Sequence, residues 1–449
     1  MIGLAATDLP AWTAIPFAAN LLAVALLPLV AAQFWHRNLN KLLVSGAVAI
    51  PVALYLLGAQ PHGAHWLLHS GKDYAGFIAL LAALYIISGG IHLKGSLAGT
   101  PLTNTGILAL GAAIANLIGT TGASMLLIRP LLRANESRNR KAHIVIFFIL
   151  IVSNAGGLLT PLGDPPLYLG FLHGVPFLWT LKLFVPWLIV NGALLVIFNF
   201  VDQRVLDREE RERPGSQLEE VQKIAEPLRL EGGLNFLWLA GMIAVVFATG
   251  RWGPEAIGGH DAVLGVQIAG MAAVAGLSWA TTRASLRQSN RYSWAPIFEV
   301  AAVFAGIFVT MIPALKLVEM EGAGFGLRQP REFFWATGLL SGFLDNAPTY
   351  LTFTAMGTSV VNGIDPGAGL VAAQLGPLAA HPAGGPLLGA ISCGAVFMGA
   401  MTYIGNGPNF MVKAIAEEHR VAMPGFLGYM AWSAAVLLPL FALLTLTWF

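Results

Sequence analysis

Apolar runs of about twenty residues recur along the whole of this 449-residue chain. A helix of that length crosses the hydrocarbon core of a bilayer, so this recurrence limits the possible folds more than any single motif does. The runs lie at roughly 14–34, 42–58, 75–93, 105–133, 142–172 and 177–201, and again at roughly 234–250, 262–280, 296–318, 333–358, 387–415 and 424–447. Charge agrees with this reading. Only 11% of residues are Asp, Glu, Lys or Arg, against roughly 25% in soluble chains. The pattern predicts an all-α polytopic membrane protein.

Between the two sets of runs lies 202–232, which contains DQRVLDREERERPGSQLEEVQK. It is too charged for lipid and reads as a solvated amphipathic helix, a cytoplasmic linker joining a first unit, 1–201, to a second, 233–449. Residues 359–386, rich in Gly, Pro and Ala, read as a loop with a short interfacial helix. The start, MIGLAATDLPAW, lacks the basic region of a secretory signal, so the first run is expected to be a retained span. A net charge of +2 gives no reason to expect a nucleic-acid partner. The single cysteine, Cys393, cannot form an internal disulfide or a cysteine-based metal cluster. No GxxxxGK[ST] element and no Ser/His/Asp constellation appears, which disfavours ATP-driven pumping and enzymatic hydrolysis.

Two runs are unusual. Gly119, Thr120, Thr121 and Gly122 interrupt 105–133, and Asp345, Asn346, Ala347 and Pro348 interrupt 333–358. Positive charge decides how to thread them, because cytoplasmic loops are enriched in Lys and Arg. With His36, Arg37 and Lys41 inside, a full crossing of 105–133 would put Arg133, Arg138, Arg140 and Lys141 outside. A hairpin returning to its own side keeps them inside. A second hairpin at 333–358 then places Lys413 and Arg420 inside, together with Arg283, Arg287 and Arg291. The expected architecture is ten transmembrane helices plus two re-entrant helical hairpins. Five spans and one hairpin fall in each half, and both termini are outside. An odd number of spans per half makes the two halves inverted-topology repeats, an architecture common among secondary transporters. The halves also echo each other in sequence. AIANLIGTTGASMLL (113–127) lies over LLSGFLDNAPTYLTF (339–353), and LLTPLGDPP (158–166) over AMTYIGNGP (400–408). The latter pairs Thr160 with Thr402, Gly163 with Gly405 and Asp164 with Asn406.

Polar residues inside the apolar runs gather at four points, each flanked by Gly or Pro. The groups are Thr120, Thr121 and Ser124; Ser153, Asn154, Thr160 and Asp164; Asp345, Asn346 and Thr349; and Thr402, Asn406 and Asn409. Such breaks free backbone carbonyls and amides at membrane depth, which is tolerated only inside protein or around a water-filled cavity. Broken helices offer N-terminal ends to anions and unwound carbonyls to cations. Hydroxyl, amide and carboxylate oxygens are hard ligands suited to Na+. Asp164 and Asp345 matter most. A carboxylate inside the bilayer costs at least about 2.5–3.5 kcal/mol, and it stays ionised only beside a compensating cation; otherwise it takes up a proton. A carboxylate holding Na+ or H+ in turn is the simplest physical basis for antiport. Glu299, at the start of one run, and His92, at the end of the matching run in the first half, are candidate proton relays. Arg129 and Lys413 are expected to snorkel to the inner interface.

At SNAGGLLTPLGDPP (153–166) the sequence resembles the ion transporter superfamily. That group includes sodium/proton antiporters of the NhaD type, arsenite permeases, citrate and dicarboxylate transporters, and a branch named for citrate transport. NAGG followed by Pro-Leu-Gly-Asp is most similar to the NhaD type. EVAAVFAGIFVTMIPAL (299–315), DNAPT (345–349) and YIGNGPN (403–409) fit the same group. The resemblance implies inverted repeats whose hairpins and broken spans meet at the site. It also implies a homodimer in the inner membrane and an elevator-like motion. By matching positions, the site would comprise Thr120, Thr121, Asn154, Thr160, Asp164, Asp345, Asn346, Thr349, Thr402 and Asn406, with Na+ at Asp164 and Asp345. The first tip differs from such antiporters in carrying no carboxylate. Three functions compete for these residues. Na+/H+ antiport suits the carboxylates. Na+- or H+-coupled uptake of citrate or a dicarboxylate would need cationic or helix-end groups facing the anion. A membrane-embedded enzyme or scaffold would gain nothing from paired helix breaks.

Overall fold

The computed structural model describes residues 9–35, 37–95, 98–212, 214, 229–257 and 259–449. His36 of the first basic loop and most of the expected linker, 213 and 215–228, lie outside the described residues. Ten of the described helices are long and apolar enough to cross a membrane. The chain is an all-α polytopic membrane protein. Its only strands among the described residues are a short antiparallel pair, β1 (His92–Lys94) and β2 (Arg229–Glu231).

Each half runs through the same sequence of elements. Three apolar helices come first: α1 (Ile15–Val30), α2 (Asn38–Ala59) and α3 (Gly63–Ser88). Next is α4 (Pro101–Ala134), which is bent at Gly119. Two short helices follow, α5 (Ala142–Ile151) and α6 (Pro165–Leu172), separated by a non-helical segment, and the long α7 (Phe184–Glu212) closes the half. The second half repeats the order. It has α8 (Leu234–Ile257), α9 (His260–Thr281) and α10 (Ala295–Glu321), then α11 (Pro330–Phe343) and α12 (Asn346–Ile364), then α13 (Gly384–Met398) and α14 (Gly407–Glu418), and finally α15 (Phe426–Trp448). The loop after α12 carries one short helix, Leu375–Ala380.

α4 folds back on itself. Gly119 has φ +76° and ψ 156°, a backbone state open to glycine because no Cβ is present to clash. Asn104 near one end and Asn135 just beyond the other exchange side-chain hydrogen bonds of 2.9 and 2.7 Å. A straight helix would hold residues 31 positions apart about 46 Å from each other. In the second half α11 and α12 fold back likewise, joined through extended Leu344 and Asp345, with the Phe333 and Phe353 rings 6.4 Å apart.

α2, α3 and α10 pack together, and α8 and α9 join them through α3. The hairpins and broken helices pack on one another, α11 and α12 against α13, and α14 against α4. The broken helices form the centre. In Ala142–Leu159, 89% of the most apolar stretch is buried, against 22% in Asn38–Ala59. Cys393 is buried in α13, as a small apolar residue would be.

Residues 202–212 are helical, as expected, but they continue α7, and one face of that stretch is not solvated. Asp202 is fully buried, where it meets Arg138 at 2.7 Å and His143 at 2.8 Å. A cationic partner makes that burial tolerable.

Candidate functional site

Both broken helices restart at a proline. Pro165 and Pro166 open α6, and Pro408 is the second residue of α14. Proline at a helix start loses no needed N–H, and its ring biases the residue before it toward extended backbone. Asp164, directly before Pro165, has φ −147° and ψ 146°. Asn406, the residue that the sequence pairs with it, has φ −153° and ψ 140°. Thr160 (−140°, 157°) and Thr402 (−134°, 169°) match as closely.

The matched residues also make matched bonds. The Thr160 hydroxyl donates to Asn116 O and accepts from Leu162 N. The Thr402 hydroxyl donates to Gly342 O at 2.6 Å and accepts from Ile404 N at 3.1 Å. Asn116 and Gly342 each stand three residues before a hairpin tip, Gly119 and Asp345. Each threonine therefore ties a broken helix to the hairpin of its own half. The long closing helices add a third pair. Trp187 Nε1 and Asn191 Nδ2 donate to Gly156 O and Ala155 O, while Tyr429 and Ser433 donate to Ala400 O and Met401 O.

All four breaks meet at Asp164, which is 2% exposed. Its Oδ1 accepts from the Thr120 hydroxyl at 2.9 Å and from Asn406 Nδ2 at 3.0 Å. Its Oδ2 accepts from Asn346 Nδ2 at 2.5 Å. Thr120 comes from the first hairpin tip, Asn346 from the second, and Asn406 from the second broken helix. Every one of these donors is neutral. The remaining asparagines support Asn406: Asn154 Oδ1 accepts from it at 3.2 Å, and Asn154 Nδ2 donates to Asn409 Oδ1 at 2.7 Å. The Ser124 and Ser153 hydroxyls share a bond of 2.8 Å. Asn346 Oδ1 is buried with no hydrogen-bond partner, a costly state for an amide oxygen that a bound cation would relieve.

Asp345 sits one residue from this centre in a different role. It is half-buried and caps α12, accepting from Ala347 N at 3.0 Å. Thr349 is buried and donates to Asp345 O at 2.9 Å. Thr121 lines a cavity of about 80 Å³ beside Asp164, together with Gly119, Tyr168, Pro296 and Val300. Glu299 lies on the same turn of α10 as Pro296 and Val300, but its carboxylate pairs with Lys41 at 2.7 Å. His92 lies in β1 and contacts Asn290 at 2.7 Å. Neither is among the groups bonded to Asp164. Sequence reasoning did not single out Asn116, whose side chain accepts from Leu159 N at 2.8 Å and whose carbonyl holds Thr160. A lone Asn inside the apolar stretch AIANLIG was its only signal.

One buried carboxylate is thus held by neutral donors from the three other helix breaks. The class of the molecule is that of a membrane transport protein. The chain belongs to the family described as "Putative citrate transport", whose model matches residues 6–449. A comparison with curated proteins finds no match. Among the described residues, no group of three or more His, Cys, Asp or Glu is placed to hold a metal ion.

Proposed function

We propose that this protein is a secondary transporter that exchanges Na+ for H+ at Asp164, with Asp345 lending negative charge from the neighbouring hairpin tip. In this reading the two fold-backs are re-entrant hairpins, the halves are inverted repeats, and the basic loops face the cytoplasm across an inner membrane. The observation that carries it is the make-up of the Asp164 surroundings: one carboxylate, three neutral donors and no Lys or Arg. A buried carboxylate without a permanent cation must take a mobile one or a proton. Asn346 Oδ1 and the carboxylate oxygens supply the hard ligands Na+ prefers. The cavity points the same way. Its roughly 80 Å³ holds an ion and a few waters, and falls well below the ~300 Å³ at which pockets for organic ligands begin.

Cation-coupled uptake of citrate or a related carboxylate is the second reading. The family description favours it, and so do the helix starts that converge at Asp164, Asn406 and Asp345, since N-terminal helix ends attract anions. In that case Na+ or H+ must fill the site first to mask the carboxylates.

Transport in proteoliposomes separates the two. Na+-driven dissipation of an imposed pH gradient, unaffected by citrate, is the result expected for exchange. Uptake of labelled citrate that requires Na+ or H+, with no exchange in its absence, would replace the first reading with the second.

A further inference from the structure

The short helix α6 carries an ionisable group at each end, Asp164 at its N-cap and His173 at its C-cap. Nine residues of helix separate them by about 13 Å. The exchange reading uses only Asp164. The His173 side chain is 9% exposed and places Nε2 3.6 Å from Oδ2 of Asp73, which is 15% exposed, on α3. His69, one turn earlier on α3, brings Nδ1 to 3.1 Å from the same oxygen, and its side chain is 52% exposed. This group stands far from the basic loop. Fifteen residues of α3, about 22 Å, run from Asp73 to Ser88, beyond which Arg133 bonds to Leu93 O.

Hydrogen counting shows what the His173–Asp73 pair requires. His173 Nδ1 lies 2.8 Å from Leu169 O. A carbonyl only accepts, so Nδ1 carries the hydrogen. In the neutral ring Nε2 is then a bare lone pair facing a carboxylate oxygen, so two acceptors oppose each other in a largely buried place. The contact becomes attractive only with one more proton, on Nε2 or on Oδ2. The pair is therefore a site for one proton.

Tyr168 lies on α6 between His173 and Asp164. It is 1% exposed, stands one turn from Asp164 and lines the same cavity. Its hydroxyl donates to Gly76 O at 3.3 Å, less than one turn of α3 from Asp73. Among the described residues, the other charges facing His69 are Lys72 and Asp261, which pair with each other at 2.6 Å.

We propose that the His173–Asp73 pair is the proton station between Asp164 and the solvent at the face opposite the basic loop, with Tyr168 as the inner link and His69 as the outer one. When Na+ displaces the proton of Asp164, the Tyr168 hydroxyl accepts that proton and releases its own toward Asp73. No net charge stays on Tyr168. The pair then passes its stored proton to His69 and water. This proposal rests on the exchange reading.

The test is exchange in proteoliposomes with pH varied separately on each side. Asp73→Asn and His173→Gln should each slow proton movement on the order of tenfold or more, the lower range for loss of a proton-transfer group. Both should flatten the dependence on pH at the face carrying His69. The Na+ concentration for half-maximal rate should stay within about twofold, because the ion site is untouched. The double variant should be no slower than the worse single one, since the two residues act as a unit. Lowered thermal stability with an unmoved pH profile in both variants would overturn the station and leave the exchange reading standing. An unmutated protein that transports Na+ or citrate with no proton movement would overturn both.

Discussion

Two buried aspartates in the first half have opposite surroundings. Asp202 is fully buried and meets the guanidinium of Arg138 at 2.7 Å, His143 at 2.8 Å and Asn104 Nδ2 at 2.9 Å. Asp164 is equally enclosed, yet its partners are a hydroxyl and two amides. The first carries its own cation permanently. It ties the end of α7 to the open base of the first hairpin and the start of α5, and nothing mobile is needed there. The second is left one charge short. In the exchange reading, burial alone would therefore not mark a transport carboxylate; burial without a resident cation would.

The contrast is tested most severely by neutralising each residue. Asp164→Asn should reduce transport to about 1% or less of the unmutated rate. A deficit of about 3 kcal/mol in ion binding already corresponds to a hundredfold. The amide can still accept from Thr120 and Asn406, so detergent melting temperature should change little. Asp202→Asn should do the reverse. Removing one partner of a buried ion pair typically costs about 3–5 kcal/mol, read as a lower melting temperature, while the surviving folded fraction still transports. Transport loss of similar size in both, with both stable, would erase the distinction.

The neutral donors come next in size. Thr120→Val and Asn346→Ala each remove one bond to Asp164, and a lost hydrogen bond to a charged group is worth about 1.5–3 kcal/mol. Each should weaken apparent Na+ affinity by roughly ten- to a hundredfold, measured as the half-saturating concentration in vesicles. Asp345→Asn should have a smaller effect. Asparagine is as good a helix cap as aspartate, so α12 keeps its start, and the variant loses only charge beside the ion. A fall in affinity of about tenfold or less is expected, and a complete loss would make Asp345 a direct ligand.

Much of this is legible in the chain because repeats and breaks are local signals. GDPP and YIGNGP expose their non-helical turns through Gly and Pro, so Thr160, Asp164, Thr402 and Asn406 stand out from the apolar runs around them. Their convergence is what an inverted order of the halves, as expected from the sequence, would imply. Asp202 is not readable in the same way. It opens the charged run DQRVLDREERER, and only packing against Arg138, 64 positions earlier in the chain, removes it from water. Asp73 and His173 fail for a related reason. His173 is a lone polar residue at a helix end and Asp73 one member of the polar stretch HSGKDY inside α3, and the tautomer argument that joins them depends on the carbonyl of Leu169.

Glu299 gives the mildest test of the same contrast. Like Asp202 it has its own cation, with Lys41 Nζ at 2.7 Å, but its side chain is 48% exposed. Half-exposed ion pairs contribute about 1 kcal/mol or less. Lys41 also keeps a bond to Asn38 Oδ1 at 3.3 Å, and glutamine would still present an acceptor oxygen. Glu299→Gln should therefore change transport by less than about twofold, with at most about 1 kcal/mol lost from stability. Pro296 and Val300, on the same turn of α10, line the Asp164 cavity, so the residue is close enough for a larger role to be detectable. If the variant instead loses proton movement while binding Na+ normally, a carboxylate with a resident cation can also serve the exchange. The rule drawn from Asp164 and Asp202 would then hold only for fully buried groups.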